Sequence, residues 1–277
     1  MKYYYTNLID NKIPYNCTIF YCENQYLTVL PELPISLIEL KCYNNKIREL
    51  PELPITLKYL DCGRNLLAKL PNLPNGLKEL SCYDNNISIL PELPISLENI
   101  CFNFCKLVNS PNYHNKLTKL SCGGNNLQLL PELPILLERL YCVICNLSTL
   151  PLLPSTLITL GCSENNIVEL PELPETLETL SCYKNNIVEL PKLPENIKNL
   201  YCSDNNIKYL SHHNIQVIKK QFGGKIINIS IKNFDRYKDY LEYIDTIDVL
   251  NNPFSIEYSN SEYDNGNWEF LEAIHKF

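Results

Sequence analysis

The sequence predicts a solenoid of about ten 20-residue coils, each giving one strand to a concave parallel β-sheet. Three observations predict it. Leu recurs at 37, 57, 77, 97, 117, 137, 157 and 177, and again at 40, 60, 80, 120, 140, 160, 180 and 200. Cys holds 22, 42, 62, 82, 122, 142, 162, 182 and 202, while Asn holds 45, 65, 85, 125, 165, 185 and 205. No insertion breaks the phase between Cys17 and Leu210. A fixed period of this length marks a repeat array in which each coil buries its apolar edge only against its neighbours.

The chain divides into an N-terminal partial coil or cap (1–16), the solenoid proper (17–210) and a C-terminal segment (211–277). Within a coil such as Leu177–Ile187, the stretch Leu180-Ser181-Cys182-Tyr183 alternates inward and outward as a strand must. Ten such strands stacked about 4.8 Å apart give a sheet about 45 Å across. Asn185 falls where the chain turns inward, and a stacked Asn amide there can pair backbone groups that the turn leaves open. Cys105 and Cys145 replace it in two coils, a thiol being a weak donor. The return, Val188 to Pro194, carries two prolines three residues apart, which favour extended or polyproline II backbone over helix. A thin return beside a wider sheet curves a right-handed stack with its strands on the concave side.

After Leu210 the proline pair vanishes. Val217, Phe222 and Ile227 keep the repeat phase, so a degenerate coil is expected to continue. Lys225–Ile231 alternates like a strand, Asn233–Ile244 has apolar residues at helical spacings, and Trp268–Phe277 reads as a short helix. A small α+β cap is expected, because the end of a solenoid exposes an apolar cross-section.

Composition narrows the classes. The net charge is −7 with no block of Lys or Arg, which argues against nucleic acid, since a phosphate backbone needs a basic stripe. The N-terminus has no apolar signal core and no run approaches the roughly 20 apolar residues of a membrane span. Thirteen cysteines suggest disulfides in a small secreted protein, but here nine share one repeat position. Cys17, Cys105 and Cys145 hold other inward positions, and Cys101 alone is expected to face solvent. The thiols read as small buried hydrophobes, and the location as intracellular and cytoplasmic.

The frame LPxLPxxLxxLxCxxNxIxxL resembles the short, 20-residue class of leucine-rich repeats found in bacterial effectors delivered into host cells. The resemblance covers about residues 13–210, with Cys where those effectors usually carry an aliphatic residue. Giant-virus and other AT-rich genomes encode similar arrays, and the Asn, Ile, Lys and Tyr load of this chain suits such a source. It implies a protein-binding solenoid, in the host cytoplasm if the chain is viral or effector-like. Some family members carry a ubiquitin-ligase domain with a catalytic cysteine. This chain has no Cys after Cys202, so that activity is not implied.

Chemistry finds little purchase. Cys142-x-x-Cys145 is a literal metal or redox motif, but the repeat explains each thiol separately, and no clustered His completes a shell. Cys101-x-x-x-Cys105 fares no better. His114, His212, His213 and His275 stand beside no nucleophile, and no phosphate loop or zinc-protease motif occurs. No catalytic residue, metal or cofactor is expected.

Three outward columns carry the binding expectation. The first runs Tyr21, Lys41, Asp61, Ser81, Cys101, Ser121, Tyr141, Gly161, Ser181, Tyr201. The second begins Glu23, Tyr43, Gly63, Tyr83 and includes Val143 and Tyr183; the third includes Arg64, Phe104, Ile144 and Lys184. Tyrosine gives large rigid contact area with a polar tip and is enriched at interfaces. The expected site is therefore the concave face, with Tyr83, Phe104, Tyr141, Val143 and Ile144 as anchors, Arg64 and Lys184 on the flanks, and Tyr43, Tyr183 and Tyr201 alongside. The anchoring rings are expected to take no part in holding coils together. The fifth repeat is irregular: Phe102 replaces the ladder Cys, Ser110 and Tyr113 replace Leu, and His114 replaces Pro. Both drift in a redundant array and a specialised site explain it. The glutamates 32, 52, 92, 132 and 172 between the prolines read as a solvated ridge. The function expected is a monomeric, non-catalytic protein-binding module; the alternative is an adaptor or effector whose activity lies in 211–277.

Overall fold

The computed structural model describes residues 2–4, 12–208 and 210–222. Eleven three-residue strands form one parallel sheet in chain order: β1 (Lys2–Tyr4), β2 (Ile19–Tyr21), β3 (Glu39–Lys41), β4 (Tyr59–Asp61), β5 (Glu79–Ser81), β6 (Asn99–Cys101), β7 (Lys119–Ser121), β8 (Arg139–Tyr141), β9 (Thr159–Gly161), β10 (Thr179–Ser181) and β11 (Asn199–Tyr201). Register advances by 20 residues per coil, as in Leu40↔Leu60 and Leu180↔Leu200. The first step is shorter, pairing Lys2 with Ile19. Strand β1 has no leucine or proline frame, which is why a scan for the period counts ten strands and misses it.

The chain enters each strand through a tight turn. In Pro34-Ile35-Ser36-Leu37 the Leu37 amide donates to the Pro34 carbonyl at 3.0 Å, and the same bond recurs at 57, 77, 97, 117, 137, 157, 177 and 197. The hydroxyl in this turn ties the coil to the one before. Ser36 Oγ lies 2.8 Å from the Tyr15 carbonyl and 2.7 Å from that of Cys17, and Thr56, Ser96, Thr156 and Thr176 repeat the contact. Mid-strand leucines then point inward: Leu40, Leu120, Leu140, Leu160 and Leu180 are fully buried, as are the ladder thiols Cys42, Cys62, Cys82, Cys122, Cys142, Cys162 and Cys182. Complete burial of one such leucine contributes about 1.5–3 kcal/mol.

Past the strand, the same position of every coil has positive φ, from Asn24 (60°) and Asn44 (54°) to Asp204 (51°), and Tyr26, Gln128 and Asn146 add a second such residue in three coils. This left-handed step aims the next side chain inward, where the asparagines stack. Asn165 Nδ2 donates to the carbonyls of Cys142 (2.8 Å) and Cys162 (2.9 Å), while its Oδ1 accepts from the amides of Cys145 (2.9 Å) and Leu147 (3.0 Å). One amide thus joins two coils. At Cys105 and Cys145 only the donor half survives, the thiols reaching the carbonyls of Cys82 (3.4 Å) and Cys122 (3.2 Å). Those two contacts place the Cys142–Cys145 pair as expected, one thiol in the core column and one in the asparagine column.

Two expectations are corrected. Among the described residues after Leu210, a helix, α1 (His212–Phe222), stands where a degenerate coil was expected. Ser211 caps it, accepting from the Asn214 amide at 3.2 Å. Without the proline pair, nothing keeps this stretch extended. Asn214 is buried and bonds the last coil, accepting from the Leu193 amide at 2.8 Å and donating to the Pro191 carbonyl at 3.0 Å. Val217 and Ile218 join the core, so α1 covers the apolar end of the stack. The strand read at Lys225–Ile231 and the helices at Asn233–Ile244 and Trp268–Phe277 lie outside the described residues. The second correction is Cys101, which is buried rather than solvent-facing.

The fifth repeat is internally consistent. Phe102 is fully buried, the Ser110 and Tyr113 hydroxyls bond each other beside the core, and His114 Nε2 meets the Leu93 carbonyl at 2.8 Å.

Two predictions follow from the ladders. Asn165→Ala strands several buried backbone groups and should cost about 2–4 kcal/mol in denaturant unfolding, whereas Cys105→Asn, which restores the acceptor half, should raise the melting temperature. The thiols give the other. All thirteen are free and buried, and burial holds Cys42, Cys62 and Cys142 well above the ordinary 9.0 and Cys162 and Cys202 up to about 12. Above pH 9 the native chain therefore keeps protons that the unfolded chain loses, and stability falls as pH rises, by about 1.4 kcal/mol per thiol per pH unit. Melting temperature should drop steeply between pH 9 and 11, and Cys162→Val with Cys182→Val should flatten the slope.

Candidate protein-binding face

The outward residues of a three-residue strand are its first and third, because the middle one is core. Four columns therefore line the sheet face. They are the first strand positions (Ile19, Glu39, Tyr59, Glu79, Asn99, Lys119, Arg139, Thr159, Thr179, Asn199), the third positions, the residues two further on, and the left-handed column. The first was overlooked in the sequence, although strict alternation puts the residue before each core leucine on the same side as the residue after it.

The ten expected contact residues share this face but differ in availability. Arg64 and Lys184 have exposed side chains, each tied within its own column: Arg64 Nε lies 3.8 Å from the Asp84 carboxylate and Lys184 Nζ 3.5 Å from Glu164. Their charges also sit near rings, at 5.9 Å from the Tyr83 centroid and 5.8 Å from that of Tyr183. Tyr43, Tyr141 and Tyr183 are half-buried, and Tyr201 is exposed on the last strand. Tyr83 and Val143 are each only 5% exposed. The Tyr83 ring lies across Gly63, where an added Cβ would come within 2.1 Å of it. Contrary to expectation, that ring helps hold two coils together, and burial pushes its hydroxyl up to about 12.

Phe104 and Ile144 are different. They occupy the left-handed column with φ of 52° and 57°, flank Gly124, and remain 36% and 43% exposed. The Phe104 ring leans over Gly124, where a Cβ would meet it at 2.3 Å. Asn, Asp and Gly tolerate this backbone, and they fill the column at 24, 44, 84, 124 and 204. A β-branched residue there is a genuine outlier, at a cost of about 1–2 kcal/mol.

Between them the face is polar and tightly knit. Asn103 Oδ1 accepts from Ser121 Oγ at 2.9 Å and the Gly123 amide at 2.7 Å, and its buried Nδ2 has no partner. The Ser163 and Ser181 hydroxyls meet at 2.9 Å. Toward the N-terminus a second cluster forms around Tyr21: its hydroxyl donates to Glu39 at 2.7 Å, Lys2 and Lys41 stand 4.2 and 4.9 Å from its ring centroid, and Tyr4 packs edge-on at 5.7 Å. A groove of about 140 Å³ crosses β3 to β6. Off the face, Ile35, Ile55, Ile95 and Ile135 project from the entry turns, each more than 60% exposed. The recurring Pro-Ile pair was their signal in the sequence.

Among the described residues no group of three His, Cys, Asp or Glu could hold a metal ion, and no helix is long and apolar enough to cross a membrane.

No protein-family model matches the sequence, and no curated protein matches it. Solved structures do resemble the fold. YopM, a leucine-rich effector protein from Yersinia pestis, is 28% identical with a TM-score of 0.50, covering 72% of this chain and 75% of its own. The leucine-rich repeat domain of APL1B has a TM-score of 0.56 at 18% identity, covering 74% of this chain and 72% of its own. The leucine-rich repeat domain of FLRT2, solved in an octameric complex with Latrophilin 3 and Unc5D, has a TM-score of 0.51 at 21% identity, covering 72% and 77%. The fold is a leucine-rich repeat solenoid, and its 20-residue coil resembles that of the bacterial effector class.

The face yields a stability prediction with opposite signs. Tyr83→Ala should lower the melting temperature, at a cost of about 2–4 kcal/mol for a buried ring. Ile144→Asn should raise it by relieving the strained backbone. Thermal unfolding of the two variants beside the parent checks both.

Proposed function

We propose that the protein is a non-catalytic protein-binding module whose partner docks on the concave sheet face, centred on Phe104 and Ile144. The observation that carries this reading is their double cost. Each is apolar and exposed, and each holds a left-handed backbone that Asn or Gly would adopt without strain. Strain kept at an exposed position points to a use outside the fold. Val143 lies beside Ile144 on the same face, and Gly124 leaves the pair open to a partner surface. Apolar anchors ringed by hydroxyls and amides match the anatomy of an interface, with an apolar centre and a polar rim. YopM, a leucine-rich effector protein, supports an effector-like reading, since its likeness covers 72% of this chain.

The half-buried Tyr141 and Tyr183 and the exposed Tyr201 extend the surface toward the C-terminal end, with Tyr43, Arg64 and Lys184 at its margins. A cytoplasmic setting agrees with thirteen buried free thiols. The described part of the C-terminal segment, α1, packs Val217 and Ile218 onto the end of the core, as a cap would.

The test is a pull-down with full-length protein, comparing Phe104→Asn with Ile144→Asn, Glu92→Ala with Glu132→Ala on the return, and Ile55→Ser with Ile95→Ser on the entry turns. The first pair should weaken binding by about tenfold or more, in line with the loss of apolar anchors, without lowering the melting temperature. The other pairs should leave it intact. If either of them releases the partner while the first does not, the partner uses another surface.

A further inference from the structure

The groove across β3 to β6 has a charge balance that the anchor region lacks. Its charged lining is three carboxylates, Glu39, Asp61 and Glu79, against one ammonium, Lys41. Glu39 is already served by Lys41 at 3.3 Å and by the Tyr21 hydroxyl. Lys78, the nearby cation, is committed to Glu98 at 2.9 Å. Glu79 accepts from the Asn99 amide at 3.0 Å and feels Lys78 only at a distance, that ammonium being held by Glu98. Asp61 accepts from the Gly63 amide at 3.2 Å. Two negative charges thus remain over in the groove.

A cluster of acids alone says little, but the Ser81 hydroxyl adds an independent observation. Ser81 is 7% exposed and lines the groove, and its buried Oγ makes no hydrogen bond. It stands near enough to Asp61 to favour the ionised carboxylate without meeting bonding geometry. A buried acceptor left open in this way costs about 1–3 kcal/mol. Asp61 tells the same story: burial lifts its carboxyl to about 6, and the Gly63 amide and Lys41 recover only part of the loss. The groove therefore lacks a cation with several N–H donors.

We infer that this groove seats an arginine side chain of the partner protein, its guanidinium between Asp61 and Glu79 and donating to Ser81 Oγ. A planar fork of five donors suits two carboxylates and a hydroxyl on adjacent strands better than the point charge of lysine. Tyr59, the first-position residue of β4, is 36% exposed and lines the same groove, and an aromatic lining residue favours a cation. A volume of about 140 Å³ takes one side-chain head and no more, being close to the roughly 150 Å³ cavity that holds a benzene ring. The inference rests on the reading that this face binds a protein, and it names one chemical feature of that partner.

The experiment titrates the full chain with a blocked Gly-Arg-Gly peptide, and in parallel with its neutral citrulline counterpart, followed by amide NMR shifts. Shifts confined to Asp61, Gly63, Glu79 and Ser81 are expected for the arginine peptide, with binding about tenfold or more weaker for citrulline and for the Asp61→Asn, Glu79→Gln variant. That variant keeps the acceptor for the Gly63 amide, and an unchanged melting profile shows that it folds. No shift at the highest soluble concentration, or equal binding of both peptides, overturns the inference. Once a partner is in hand, release by the Phe104, Ile144 variant but not by the Asp61, Glu79 variant overturns the arginine assignment alone. Release by neither overturns the reading of the face as well.

Discussion

Everything in this molecule hangs on the side-chain amide of one asparagine per coil. A solenoid has no second layer of secondary structure to absorb the backbone groups left open where a strand turns into its return. Asn65 donates to the carbonyls of Cys42 and Cys62 and accepts from the Ile47 amide. Asn85, Asn165, Asn185 and Asn205 do the same one coil at a time. Each amide bonds the coil it belongs to and the coil before, so it fixes spacing and phase together. The hydroxyl at the entry turn repeats the arrangement at the other end of the strand. With both ends pinned, leucine and cysteine fall into dry columns and the sheet register cannot slip.

That fixed phase is what turns a sequence into a surface. Because every coil presents the same positions outward, a single substitution changes one tile of a regular mosaic and leaves its neighbours in place. The face can therefore vary in character along its length. Near β2 and β3 it is a cluster of rings and ions around Tyr21, across β3 to β6 it is acidic and grooved, and beyond β9 small hydroxyls stand beside Tyr183, Lys184 and Tyr201. The ladder thiols stay out of this variation, because they lie in the core beneath the sheet.

Much of this was legible in the sequence, because a fixed period translates directly into burial. The leucine, cysteine and asparagine columns, the parallel strands and the extended return all follow from it. What escaped has physical reasons. Lys2–Tyr4 pairs with β2 without carrying the frame, so only three-dimensional proximity reveals it. The phase of Val217 and Phe222 argued for another coil and hid the helix that Ser211 caps. Availability on the face was harder still. Tyr83 is buried because Gly63, one coil earlier, has no side chain to displace its ring. Exposure there depends on pairs 20 residues apart, whereas the columns were read one residue at a time. The left-handed backbone at Phe104 and Ile144 was likewise hidden, although the Asn, Asp and Gly content of that column hinted at it.

The asparagine ladder is interrupted twice, at Cys105 and Cys145, where a thiol supplies a donor and no amide oxygen. An array held by nearest-neighbour couplings behaves like a row of linked springs, and its softest links decide how it bends and where it parts. The two interruptions divide the row into an N-terminal block, a short central block and a C-terminal block, with Phe104 and Ile144 each one residue away from a soft link. The central apolar pair is thus mounted on the two joints of the rod. In an array coupled only between neighbours, bending is expected to fall first at those two positions, beside the apolar pair.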